Sequence, residues 1–166
     1  MAQRLCGFVY LGLADLLNLT VLEHAVNSRR STMNFIGHGT DLVEVERIRE
    51  ILSSHGHRFL QRLYTPGERA MAGEVPSARF LAGRFAAKEA ILKALGTGWI
   101  RGISWTDIDV GRLPSGKPTV LLSGGCRKLA QELGIVRLEV SITHTSEHAA
   151  ATAIAMGAPT NDRDED

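Results

Sequence analysis

Glu89 and Lys93 stand four residues apart in the segment RFAAKEAILKALG, Arg84 to Gly96. At about 100° per residue, Phe85, Ala86, Ala87, Ala90, Ile91, Leu92, Ala94 and Leu95 cover most of a helix circumference, which is the pattern of a buried helix. The two charges share one narrow stripe, while Lys88 lies on another side, one turn from Arg84. One reading of the stripe is an i,i+4 ion pair, worth only about 0.2–0.5 kcal/mol. Burying such a pair carries a desolvation penalty that makes it a poor stabiliser. A cleft that needs charge explains the stripe better: a carboxylate to hold a hard cation, and a lysine to neutralise phosphate oxygens. Asp41 is a second candidate. Asp41 and Glu44 have the D-x-x-E spacing of a capping box, and aspartate is among the best helix caps. Gly37 and Gly39 just before it permit either close backbone approach or a positive φ. One Asp41 oxygen capping a helix and the other facing a cation would satisfy both readings.

The elements that must position these residues follow from pattern. Asn34–Gly37 reads as a short strand, and the helix DLVEVERIREILSS follows it, with Val45, Ile48, Ile51 and Leu52 on one face and Gly56 at its end. HRFLQRLY is a short helix. Thr65, Pro66 and Glu68 then give an N-cap, a first-turn proline and a capping box. VPSARFLAGRFAAKEAILKALG is the longest helical pattern, closed by Gly96. Strands dominate afterwards: ISWTDIDVG and TVLL flank the turn LPSGKP, GGCRKLAQELG is a short helix, and VRLEVSIT and AAATAIAM flank HTSEH. Helices cluster early and strands late, so the fold class is α+β, a mostly antiparallel sheet packed against a long central helix. Neither a Rossmann nor a P-loop glycine fingerprint is present.

The 166 residues suit one domain, and the hydrophobic share of 44% and charged share of 22% are ordinary for a globular protein. Residues 1–32 read as a separable N-terminal extension ending in the polar run NSRRST, residues 33–157 as the domain, and residues 158–166 as an acidic tail. The formal net charge of +1 gives no field that calls for nucleic acid or a membrane. The short apolar run Leu5–Ala14 weakly resembles a secretory signal, but the apolar residues continue past Asp15, and an amphipathic helix or an upstream start ahead of Met33 accounts for it better. Cys6 and Cys126 have neither metal-ligand spacing nor a disulfide framework, which points to a reducing, cytoplasmic setting.

These segments, in this order, resemble the holo-[acyl-carrier-protein] synthase family of 4'-phosphopantetheinyl transferases. IGHGTDLVEVERI looks like that family's first motif, FLAGRFAAKEAILKALGTG like its central signature, and SGKPTVLLSG and EVSITHTSEHAAATAIA like its later hairpins. The resemblance covers about Met33 to Met156. It implies transfer of the phosphopantetheine arm of coenzyme A to a serine of an apo acyl carrier protein, with release of 3',5'-ADP. It further implies a magnesium ion on Asp41 and Glu89, Lys93 at the leaving phosphate, and Glu89 as acceptor of the serine proton. Arg84, Lys88, His144 and Lys117 would contact the nucleotide. Arg47, with Arg49, Arg58 and Arg62 nearby, would dock the acidic carrier, in fatty acid or polyketide synthesis. The family's trimeric assembly is expected too, with the small residues Ala149–Ala151 packing closely at the interface. His38 departs from the family, which usually has a small or apolar residue there. Two other classes stand beside this one. A non-catalytic carrier-binding member of the same fold would lack the carboxylates or the lysine, and another magnesium-dependent nucleotide enzyme would prefer ATP to coenzyme A.

Overall fold

The structure is a computed structural model that describes residues 33–98 and 102–159, and Met33–Pro159 forms one compact unit. The readings made for residues 1–32, Cys6 and the acidic residues 162–166 lie outside the described residues. The chain runs β1 (Met33–Glu44), α1 (Val45–Leu63), α2 (Pro66–Ala72), α3 (Ala78–Ala94), a single 3-10 turn (Trp105–Asp107), β2 (Ile108–Arg112), β3 (Pro118–Leu122), α4 (Gly124–Glu132), β4 (Ile135–His144) and β5 (His148–Pro159). Antiparallel β1, β5 and β4 form one sheet in the order β1-β5-β4, and β2 and β3 form a separate two-stranded hairpin. The class is the expected α+β one, divided between two sheets.

β1 corrects the first expectation. The strand does not stop at Gly37 but continues to Glu44, pairing Asp41 with Ala151 and Glu44 with His148 on β5. Helix α1 starts only at Val45, whose N–H donates to the Glu147 carbonyl at 2.8 Å, and Glu44 caps it with no side-chain hydrogen bond. Asp41 is therefore not a helix cap. The local D-x-x-E signal loses to a continuous ladder of sheet hydrogen bonds, because each backbone group must find a partner and β5 supplies them all along the strand. Gly56 breaks α1 as expected, with φ 46° and ψ −121° inside the run. Thr65 and Glu68 form the expected capping box. The segment read as the strand ISWTDIDVG begins instead as the 3-10 turn, because Ser104 and Asp107 form a capping box of their own and delay the strand to Ile108.

Helix α3 lies across the large sheet. A Cβ built on Gly83 would meet Ile142 of β4 at 3.1 Å, so the first half of α3 sits over β4. Toward its other end, a Cβ on Gly39 would fall 2.0 Å from the Ala90 carbonyl oxygen, and one on Gly37 only 2.1 Å from that of Ala94. Neither of these two glycines has a positive φ. Close approach of strand to helix, not an unusual backbone, is what requires glycine here. The other face of the contact is built from small residues too: Ala149, Ala151, Ala153 and Ala155 alternate into the core from β5, and Ala82, Ala86, Ala87, Ala90 and Ala94 are buried on α3. Ala149 and Ala151 are thus buried within their own chain, which corrects their expected place at an interface between subunits. Among the described residues, no helix is long and apolar enough to cross a membrane.

Candidate functional site

The approach of β1 to α3 brings Asp41 to Lys93. The Lys93 ammonium donates to Asp41 Oδ1 at 2.8 Å and to the Thr40 carbonyl at 2.9 Å, so its partner is on the neighbouring strand and not Glu89 on its own helix. The Asp41 side chain is 15% exposed and that of Lys93 is 47% exposed, so the pair opens to solvent on one side. Hydrogen bonding to Asp41 raises the Lys93 pKa, which keeps the ammonium charged. Glu89 is half-buried in the same cluster. Burial first, and the charge of Asp41 second, raise its pKa, while Lys93 and Arg47 pull it down. Arg47 of α1 therefore faces this cluster as well.

This arrangement suits a divalent cation. Two carboxylates converge, one of them is destabilised by burial and by the other, and Asp41 keeps its second oxygen free of the lysine. No group of three or more His, Cys, Asp or Glu converges among the described residues, so an all-protein cage is absent there. A pair of carboxylates with the remaining positions left to water and phosphate oxygens is the usual setting for magnesium, which sheds its water reluctantly.

A second cluster lies toward the start of α3, where it crosses β4. A cavity of about 390 Å³ is lined by Arg79, Phe80 and Arg84 of α3, Arg112 of β2, Gly116 of the β2–β3 turn and His144 at the end of β4. Arg84 is 7% exposed, stacks its guanidinium 4.5 Å over the Phe80 ring, and leaves its buried Nε without a partner. Burial lowers its pKa, and the neighbouring Arg112 lowers it further against the pull of Glu68. Three arginines around one cavity repel each other until an anion joins them, so the cavity fits a phosphate-bearing ligand. Lys117 is exposed on the adjoining turn and pairs with Glu139 at 3.0 Å.

Lys88 requires a correction. Expected beside nucleotide phosphates, it is instead fully buried. Its ammonium pairs with Glu68 at 2.7 Å and donates to the carbonyls of Leu63 and Trp105 at 2.7 and 2.9 Å. A lysine has three hydrogens to donate, and all three are used inside the core. Glu68 is equally buried; it accepts from the N–H groups of Thr65 and Val110 as well as from Lys88. The sequence showed Glu68 only as the capping-box partner of Thr65, since no spacing rule reveals what its second oxygen meets. Arg112 was missed for a similar reason, since it reaches the cavity from β2; Arg79, on the same helix as Arg84, carries no spacing signal of its own.

Residues 37–153 match the 4'-phosphopantetheinyl transferase superfamily. A holo-[acyl-carrier-protein] synthase of Solibacter usitatus is 47% identical over 113 residues, covering 67% of this chain and 90% of the relative. The crystal structure of the Plasmodium yoelii holo-ACP-synthase superposes with a TM-score of 0.68 at 35% identity, covering 76% of this chain and 98% of that one. The Helicobacter pylori holo-[acyl-carrier-protein] synthase, solved in complex with coenzyme A, gives a TM-score of 0.64 at 30% identity, covering 71% and 98%.

Proposed function

Because this chain belongs to the holo-[acyl-carrier-protein] synthase family of phosphopantetheinyl transferases, we propose that it moves the phosphopantetheine arm of coenzyme A onto a serine of an apo acyl carrier protein and releases 3',5'-ADP. The observation that carries this reading is the Asp41–Glu89–Lys93 cluster, two carboxylates and an ammonium held at one open edge of a buried helix. Asp41 and Glu89 would hold magnesium, which supplies charge to offset that of the coenzyme A pyrophosphate when bound. Lys93, kept protonated by Asp41, neutralises the departing phosphate and donates a proton to it. Glu89, with its raised pKa, accepts the proton of the attacking serine. The arginine cavity, with Arg84 at its wall and His144 at its rim, holds the nucleotide phosphates.

Arg47, beside Glu89, guides the acidic carrier toward the cluster, and Arg49, Arg58 and Arg62 on the exposed face of α1 extend that basic approach. Assembly as a homotrimer fits the outer face of the large sheet, where Phe35, Leu42 and Ile154 stand 63%, 65% and 37% exposed. His38 shares that face, opposite Ile154 on β5 and bonded only weakly to Thr40 at 3.4 Å, and so points away from the carboxylates.

The test is magnesium-dependent labelling of an apo carrier protein by a fluorescent coenzyme A analogue. Asp41→Ala and Glu89→Gln should each abolish it in chains that stay folded. Full labelling by both variants would remove the metal assignment, and tighter binding of ATP than of coenzyme A would point to a different nucleotide enzyme.

A further inference from the structure

The buried pair Glu68–Lys88 has no part in the chemistry proposed above, and its energetics make it a strange thing to keep. Taking two charges out of water is repaid only when geometry and hydrogen bonding are excellent, and apolar residues of similar size often serve stability as well or better. Burial in fact lowers the Lys88 pKa despite the carboxylate against it. What the pair has that apolar residues lack is direction. Glu68 ties the N–H of Thr65, ahead of α2, to that of Val110 on β2. Lys88 ties α3 to the Leu63 carbonyl at the end of α1 and to the Trp105 carbonyl in the 3-10 turn. Five segments meet at two side chains.

Helix α3 needs such a lock. Where it meets β1 and β5 the contact is built of glycine and alanine, which offer few ridges to fix its rotation. That phase is left to its other sides, where Leu81, Ile91 and Phe85 pack and Lys88 is bonded. A turn of about 20° would move a side-chain tip by about 2 Å, given a helix radius of about 5–6 Å with side chains. Displacements of about 1 Å can lower catalysis about a hundredfold. Lys88 immediately precedes Glu89, stands one turn after Arg84 and is five residues before Lys93. Fixing Lys88 therefore fixes the rotational phase of all three.

We propose that Glu68 and Lys88 are positioning residues: their buried ion pair sets the rotation of α3 and so places Glu89 and Lys93 against Asp41 and Arg84 at the cavity wall. This rests on the reading of Asp41 and Glu89 as a cation site, and the experiment separates the two. In the full chain, thermal midpoint, calorimetric Mn²⁺ affinity and transfer kinetics are measured for the native protein, Lys88→Met, Glu68→Leu and the double variant. Each single variant leaves a buried charge alone and should lower the midpoint, and the double variant should recover most of that loss. If the pair positions the site, the double variant still binds Mn²⁺ about tenfold more weakly or worse and loses about a hundredfold in kcat. A double variant with native Mn²⁺ affinity and native kcat would reduce the pair to a structural role and overturn the proposal. Should the double variant fail to fold, Lys88→Arg decides: it keeps the charge against Glu68 but cannot reproduce the three-point contact, so it should weaken Mn²⁺ binding and lower kcat, and native values for both overturn the proposal. A native chain that neither binds Mn²⁺ nor transfers the arm sinks the cation-site reading itself, a different result from either.

Discussion

Lys88 and Lys93 lie five residues apart on one helix, and each meets a carboxylate at 2.7–2.8 Å, yet the two pairs do opposite work. Glu68–Lys88 is fully buried and saturated, with every ammonium hydrogen on a partner within the core. Asp41–Lys93 is half-open, and a second carboxylate, Glu89, stands beside it with a raised pKa. The first pair has nothing left to offer a ligand. The second sets two carboxylates beside Lys93 and Arg47, stays open to solvent and keeps an oxygen free, which is the setting the proposed cation site needs. The difference lies in what surrounds each pair, not in its residue types. Reading a lysine–carboxylate contact as functional therefore depends on counting what its atoms still lack.

The sharpest way to break this comparison is to remove Lys88. Lys88→Met strands the Glu68 carboxylate in the core, and loss of one partner of a buried pair typically destabilises by about 3–5 kcal/mol. That is a large share of the roughly 5–15 kcal/mol that holds a domain folded. Urea unfolding should show a midpoint lowered accordingly. A variant as stable as the native chain would mean that Glu68 takes up a proton or a water at little penalty, and the two pairs would no longer be different in kind.

How far this contrast was legible in the sequence is instructive. Glu89 and Lys93 stood out because charge on an apolar helix is visible as pattern. Lys88 carried the same signal and was misread, because its partner sits twenty positions away in the chain on α2, where Glu68 already had a local explanation as a cap. Asp41 was misjudged in the other direction. Its D-x-x-E spacing described a helix start that the sheet overrode, and only the pairing of β1 with β5 shows that its side chain is free for Lys93. The glycines before it were legible as a requirement for small residues but not as a choice between tight turn and close approach; the Ala90 and Ala94 carbonyls settle that choice. Local elements with strong caps, such as Thr65–Glu68 and the helix closed at Gly96, were read directly, since their signals need no distant partner.

Removing Lys93 should have a smaller effect on the fold and a large one on turnover. Its partly exposed pair with Asp41 contributes about 0–1 kcal/mol after solvent screening. The folded-state pKa of Lys93 is raised, so its contribution is fully present below the unfolded pKa and fades as pH rises through the folded one. At neutral pH, Lys93→Met should therefore unfold in urea almost with the native chain, while transfer falls by about 10²–10⁴-fold. Equal losses of stability from Lys93→Met and Lys88→Met would erase the distinction drawn between them.

The smallest effect belongs to a third pair, Lys117–Glu139, which ties the β2–β3 turn to β4 beside the arginine cavity. Hydrogen bonds from Lys117, and then from Arg137, lower the Glu139 pKa. A carboxylate with a lowered folded-state pKa stabilises above its unfolded pKa and loses that contribution as pH falls through the folded value. The lysine side chain is 53% exposed and the glutamate 30%, so water screens the attraction and Glu139→Gln should weaken the fold at neutral pH by about 0.5 kcal/mol or less. The difference should shrink as pH falls below the ordinary carboxylate range of about 4 and on through the lowered folded value, beneath which native and variant both carry an uncharged group. Paired urea curves across that range give the answer. A difference that persists in acid would show that Glu139 acts through packing, and would leave the open Asp41–Lys93 pair without its exposed counterpart for comparison.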